Sequence, residues 1–209
     1  MIKVILTSDD FGLSIVFNEK IIEQVELHKL TSVSILVNQV SVLQYNQIRQ
    51  LQNLRKTQSL SLGLHFEVPN SDILEGLNYQ WCQFLELFQE PPNYIDIHKG
   101  SAYIGSFDEI ALFCIEKSIP FRHYSQTKIQ VKSPDFSITA TRKSIEELRD
   151  ILNNLISEKI YEFIFHIGVF DPDSKSRFNK ERELDNEKLN FVAKNLTYEK
   201  VKIISYRDI

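Results

Sequence analysis

The sequence predicts an α/β fold, a distorted or incomplete TIM-type (β/α) barrel of about seven parallel strands, on three observations. Apolar runs of four to seven residues alternate with segments of helical period, the pattern of repeated βα units. His65, His98 and His166 each fall at the end of an expected strand, as does the carboxylate pair Asp9-Asp10; strand C-termini of such barrels open on one face, so these side chains converge there. The chain has 209 residues, enough for one domain with a sizeable core and short for two, so 1–209 is read as a single unit. An open doubly wound sheet gives a similar periodicity, and the pattern alone does not separate the two.

Taken in order, strands are expected from Ile2 to Thr7, Ser32 to Val37, Ser59 to Phe66, Tyr94 to His98, Ile119 to Tyr124, Glu162 to His166 and Val201 to Ser205. Helices fill the gaps. Phe17, Ile21, Ile22 and Val25 recur at helical spacing, as do Ile145, Leu148, Leu152, Leu155 and Ile156, giving each segment one face to bury against the sheet. Glu146, Glu147, Arg149 and Asp150 then form a solvated face. The stretches from Val68 to Glu75 and from Asp171 to Asn179 each follow a strand-end histidine and are read as active-site loops.

Composition narrows the function classes. With 43% hydrophobic and 25% charged residues the chain reads as an ordinary globular protein, and a net charge of −4 gives no attraction to nucleic acid or anionic lipid. No run approaches the roughly 20 apolar residues needed to span a bilayer. The opening Met1-Ile2-Lys3-Val4-Ile5-Leu6 ends in acidic residues and reads as a first strand, not a secretory leader. Cys82 and Cys114 stand far apart without CxxC spacing, which argues for reduced thiols in a cytoplasmic protein. Helices flanking a barrel permit a homodimer without requiring one.

Within Thr7-Ser8-Asp9-Asp10-Phe11-Gly12, two adjacent carboxylates facing one apolar pocket raise each other's cost of ionisation unless a cation lies between them. A divalent metal removes that cost: one Asp ligates it while its neighbour takes a proton from water. The competing reading is that Asp-Asp-Phe-Gly turns the chain into a helix starting near Ser14. Single core histidines are usually satisfied by a backbone carbonyl, but His65, His98 and His166 fall together. Asp96, two residues before His98, shares its strand face and could orient an imidazole. Two histidines and one aspartate make a facial set for Zn²⁺, Mg²⁺ or a similar ion, with the remaining histidine free for proton transfer. His28, on a charged helix end, and His123, beside Arg122, are read as structural.

These motifs, over nearly the whole chain, resemble the YdjC-like carbohydrate deacetylases, which include chitooligosaccharide deacetylases and enzymes acting on hopanoid-linked N-acetylglucosamine. The family's A-D-D-F-G-L-S is matched by Ser8 to Ser14, its T-S-x-x-x-L-V-N by Thr31 to Asn38, its G-x-H-F by Gly63 to Phe66 and its I-D-S-H by Ile95 to His98. An H-P-G segment with an Asp five residues after the His is similar to His166 to Asp171, and a terminal S-Y-x-D to Ser205 to Asp208. The resemblance implies a distorted barrel in which Asp10, His65 and His98 hold a divalent metal, with Asp9 as general base and His166 as acid. It further implies removal of the N-acetyl group from an N-acetylated saccharide or glycolipid, with Mg²⁺ or Zn²⁺ as cofactor and Mn²⁺ or Co²⁺ as alternatives. The chain departs from the family at Gly100 and Ala102, where further histidines are common, at Ile167 in place of proline, and at Glu67-Val68-Pro69. Two alternatives stay open: a metal hydrolase of another small amide or ester, and a divergent metal- or sugar-binding protein without turnover.

Overall fold

A computed structural model describes residues 1–100, 104–196 and 199–209, so Ala102 lies outside the described residues. Seven strands, all paired in parallel, form one sheet: β1 (Ile2–Phe11), β2 (Ser32–Ile35), β3 (Ser61–Phe66), β4 (Ile95–Ile97), β5 (Phe136–Thr139), β6 (Ile160–Phe165) and β7 (Val201–Ile203). Their order is β4-β3-β2-β1-β6-β5, and β7 joins β1. Because β6 covers Lys3 to Ser8 along one edge of β1, β7 and β2 share the other edge, β7 at its start and β2 at its end. The expected distorted TIM-type barrel is therefore what forms, left open between β4 and β5.

Two strand expectations are corrected. The segment from Ile119 to Tyr124 is not a strand: it contributes a single bridge, Phe121 to Ile95. Pro120 has no N–H to give a ladder, and Arg122 turns inward to buried carboxylates instead of lying along the sheet. The seventh strand is instead β5, which pairs with β6 from Phe136↔Tyr161 to Thr139↔Ile164. It has four residues, Phe136 exposed and the other three half-buried, alternating apolar with polar, and so offers no continuous apolar run to find. β1 also runs four residues further than expected, carrying the Asp9-Asp10 pair inside the strand.

The helices follow their apolar periods. Helix α1 (Ile15–Glu26) starts at Ser14, whose hydroxyl accepts from Val16 N, and buries Phe17, Ile21 and Val25. Helix α2 spans Tyr45–Thr57 and α3 spans Ile73–Phe88, so the loop expected from Val68 to Glu75 ends at the α3 cap, Asp72. Helix α4 covers Phe107–Glu116. Helix α5 (Ile145–Asn153) has a Ser144/Glu147 capping box and stops before Leu155 and Ile156. Helix α6 (Arg182–Asn195) packs behind β6. Each fully buried Phe, Ile or Leu of the core contributes roughly 1.5–3 kcal/mol, and the core runs continuously from Ile2 to Val201. Among the described residues no helix is long and apolar enough to cross a membrane.

Candidate metal centre

Neighbours on a regular strand point to opposite faces, so Asp9 and Asp10 should not both reach one pocket. The end of β1 is not regular. Its register with β2 shifts between Ser8 and Phe11, and Asp10 has a φ of 70°, a left-handed conformation that costs a non-glycine residue about 1–3 kcal/mol. The bulge turns both carboxylates into a cleft of about 550 Å³ at the strand ends, which they line with His65, His98 and His166. Gly12, at φ 103°, completes the turn where a Cβ would stand 2.8 Å from the Leu36 carbonyl oxygen.

Three donor atoms meet there. Asp10 Oδ1 lies 3.4 Å from His65 Nε2 and 3.5 Å from His98 Nδ1, and the two nitrogens are 3.1 Å apart. Ligand atoms about 2.1 Å from a shared ion take such spacings at roughly right-angled to tetrahedral geometry. The hydrogen-bond pattern fits a cation equally well. His65 Nδ1 lies 2.6 Å from Asp96 Oδ2, and an ionised carboxylate only accepts, so Nδ1 carries a proton, and the neutral form of His65 turns its Nε2 lone pair to the cleft. Asp10 Oδ2 accepts from Arg182 at 2.6 Å, while Asp10 Oδ1 is buried with no hydrogen-bond partner among the described residues. Asp96 does orient an imidazole, although on the neighbouring strand: it holds His65 and not His98.

Around this cluster lies a charge network that sequence reasoning missed. The Arg122 guanidinium grips Asp9 through both terminal nitrogens at 2.8 Å, bonds Glu162 at 3.0–3.2 Å and makes a short contact with Asp96. Glu162 also accepts from Thr7 and Ser137, each at 2.8 Å. Arg182, fully buried over the Phe17 ring, reaches Asp10 and donates to the Ile167 carbonyl and Ser176. Four buried carboxylates (Asp9, Asp10, Asp96, Glu162) thus face two buried guanidiniums. With His65 neutral, this leaves a formal excess of two negative charges, which one divalent ion balances. Burial would raise the Asp9 and Asp10 carboxyls. Arg122 and His65 hold Asp9 below its ordinary range, and His65, His98, His166 and Arg182 hold Asp10 well below.

His166 lines the same cleft but is not one of the three donors. Burial lowers its pKa, with the Asp10 and Asp9 charges opposing. His123 also lines the cleft and is not on a strand, whereas His28 is exposed just after α1. Asp171 binds Ser14 at 2.5 Å and Asn179 through the backbone, tying the loop after His166 to the start of α1.

For His65, burial opposes the charge, but Asp96 and Asp9 outweigh it and hold the ring well above the ordinary histidine value. A raised value means the ion-free ring holds its second proton to higher pH than an ordinary histidine, and an ion must displace that proton to use the lone pair. Loading Zn²⁺ is therefore expected to release about one proton at pH 7, and the apparent affinity should rise with pH until His65 is neutral. Calorimetry in buffers of different ionisation enthalpy reads this; pH-independent affinity without proton release would exclude His65 as a ligand.

No family model matches the chain. It is similar to a chitooligosaccharide deacetylase of Klebsiella pneumoniae subsp. pneumoniae, 25% identical over 190 residues, 76% of this chain and 72% of that protein. In fold it resembles a candidate cellobiose-phosphate cleavage protein from Enterococcus faecalis V583, with a TM-score of 0.75 and 17% identity over 99% of this chain and 98% of that one. It also resembles a family 4 acetyl xylan esterase from Clostridium thermocellum in complex with a cobalt ion, with a TM-score of 0.58 and 12% identity over 99% of this chain and 89% of that one.

Proposed function

We propose that this chain is a YdjC-like carbohydrate deacetylase, a metal-dependent hydrolase that removes the N-acetyl group from an N-acetylated sugar. The observation that carries this is the orphaned Asp10 Oδ1 facing two imidazole nitrogens inside a cleft with an excess of buried negative charge. Similarity to the Klebsiella chitooligosaccharide deacetylase supports the substrate class. Asp10, His65 and His98 would hold the ion. Two of the three donors are imidazoles, which suit Zn²⁺ or Co²⁺ better than the oxygen-seeking Mg²⁺ and Mn²⁺.

Once bound, a divalent ion supplies an activated water and polarises the acetamide carbonyl. The residues of the chain do the rest. Asp9 stays ionised because Arg122 faces it, and among the described residues each of its oxygens accepts only from Arg122, which leaves a lone pair to take a proton from water. Arg122 fixes the rotamer of that base. His166, outside the ligand set, delivers a proton to the departing amine. Gln39, Glu67, Ser137 and Thr139 line the cleft with hydrogen-bonding groups suited to sugar hydroxyls.

The test is acetate release from N,N′-diacetylchitobiose after chelation and readdition of Zn²⁺, Co²⁺, Mn²⁺ or Mg²⁺. Release is expected to need the ion and to fall about 10²–10⁴-fold in Asp9→Asn, with metal content retained. Release indifferent to chelation, or an Asp9→Asn protein at full rate, would overturn the assignment. Metal bound without any hydrolysis would point to the non-catalytic alternative.

A further inference from the structure

His166, the imidazole assigned to proton transfer, is held by groups on two other elements. Thr141 Oγ1 lies 2.8 Å from His166 Nδ1 and makes a short hydrogen bond to Asp185 Oδ2. A carboxylate has no proton to give, so the single hydroxyl proton goes to Asp185. The contact with His166 must then run the other way, Nδ1–H donating to Oγ1. That assigns the tautomer: neutral His166 carries its proton on Nδ1, and Nε2 is bare.

Asp185 is itself fixed. Fully buried on α6, it accepts the backbone N–H of His166 at 2.8 Å and lies 3.4 Å from Lys188 Nζ. Lys188, also buried, donates to the carbonyls of Ala140 and Thr141 at 3.1 and 3.0 Å. One carboxylate–ammonium pair from α6 thus clamps the end of β6 and the turn after β5, where His166 and Thr141 sit. Asp185 Oδ2 stands 4.0 Å from Nδ1 with the hydroxyl interposed, so orientation is transmitted while the carboxylate charge acts on the ring only at a distance.

We propose that Thr141 and Asp185 are positioning residues that lock His166 as its Nδ1–H tautomer and reserve Nε2 as the site of proton transfer; this rests on His166 being the proton donor of the proposed deacetylation. The proton balance explains why the tautomer matters. A proton taken up from solvent at the bare Nε2 gives the imidazolium, which holds a proton on each nitrogen. As the C–N bond breaks, its electron pair stays on the amine nitrogen and takes the proton from Nε2, which leaves the Nδ1–H form that Thr141 stabilises. A ring free to rest as Nε2–H would present a neutral imidazole N–H, far too weak an acid for the step, and would need to shift its proton before each turnover.

The experiment is ¹⁵N NMR of the histidine rings in the wild-type protein, with kinetics of Thr141→Val, Thr141→Ser and Asp185→Asn. The wild-type spectrum is expected to show His166 with a protonated Nδ1 and a bare Nε2. Thr141→Val should lose that bias and drop kcat about 10–100-fold with KM and metal content unchanged, Thr141→Ser should restore both, and Asp185→Asn should fall between. A wild-type spectrum with the proton on Nε2, or Thr141→Val at wild-type kcat, overturns the proposal. The spectrum decides even if Thr141→Val fails to fold. His166→Ala at full rate, with the Nδ1–H tautomer present, would instead remove the role of His166 in the reaction.

Discussion

His98→Ala is expected to strip the divalent ion from the cleft and bring acetate release to background. His98 supplies one of three donor atoms, and even partners that only orient a metal ligand are worth about 10–100-fold in affinity, so losing a ligand should cost at least about 10²-fold. The variant is a clean one. His98 is half-buried on the rim just past β4, its backbone N–H to Phe66 O is untouched, and among the described residues its ring makes polar contacts only with His65 and Asp10. The ion-free variant should therefore keep its stability within about 1 kcal/mol. His65→Ala should lose the ion too, but it also removes one of the buried hydrogen-bond partners of Asp96 and will be less stable. His166→Ala separates the roles: metal content stays and rate falls about 10²–10⁴-fold. Equilibrium dialysis with metal analysis, set beside acetate release, reads all three. An ion lost from His166→Ala, or kept at full affinity by His98→Ala, would reverse the assignment.

What the sequence revealed of the site was its chemistry at strand ends. Asp9, Asp10, His65, His98 and His166 were legible because a polar residue closing an apolar run marks a position both buried and at the open face of a barrel. What it concealed were residues whose charge is neutralised inside the fold. Arg182 begins a helix of charged residues, where an arginine reads as solvated surface, yet it is fully buried beneath Asp10. Arg122 lies in a stretch that reads as a strand and pairs on only one rung. Glu162 did give a signal: a carboxylate within Tyr161-Glu162-Phe163-Ile164-Phe165 must be paired if that strand is buried, and pairing demands a cation from elsewhere. Thr141 and Asp185 gave none, because the turn that joins them to His166 follows a strand too short and polar to anticipate.

Arg122→Met should be the most destabilising single change at the site. The guanidinium faces Asp9, Asp96 and Glu162 where water is excluded, and deleting one partner of such a set leaves uncompensated buried charge, at a cost of about 3–5 kcal/mol. For a chain of this size that corresponds to a fall in Tm of roughly 6–20 °C, readable by thermal unfolding in chelator. Arg122→Lys should recover little, since a point charge cannot hold Asp9 bidentately and reach two further carboxylates. Adding Glu162→Gln to Arg122→Met should restore part of the loss by removing one buried charge. The pH dependence distinguishes lost charge compensation from lost packing. In the wild type Asp9 is held below its ordinary value, so its contribution is present above the unfolded carboxyl value of about 3.9 and disappears as pH falls through the folded one. Without Arg122, burial dominates and the Asp9 value rises; the folded variant then gains by taking up a proton and loses that gain as pH climbs. The gap in Tm between the two proteins should accordingly widen from pH 5 to pH 8. A gap that is the same at both ends would mean that Arg122 acts through its packing, and that the buried carboxylates are balanced by some other cation.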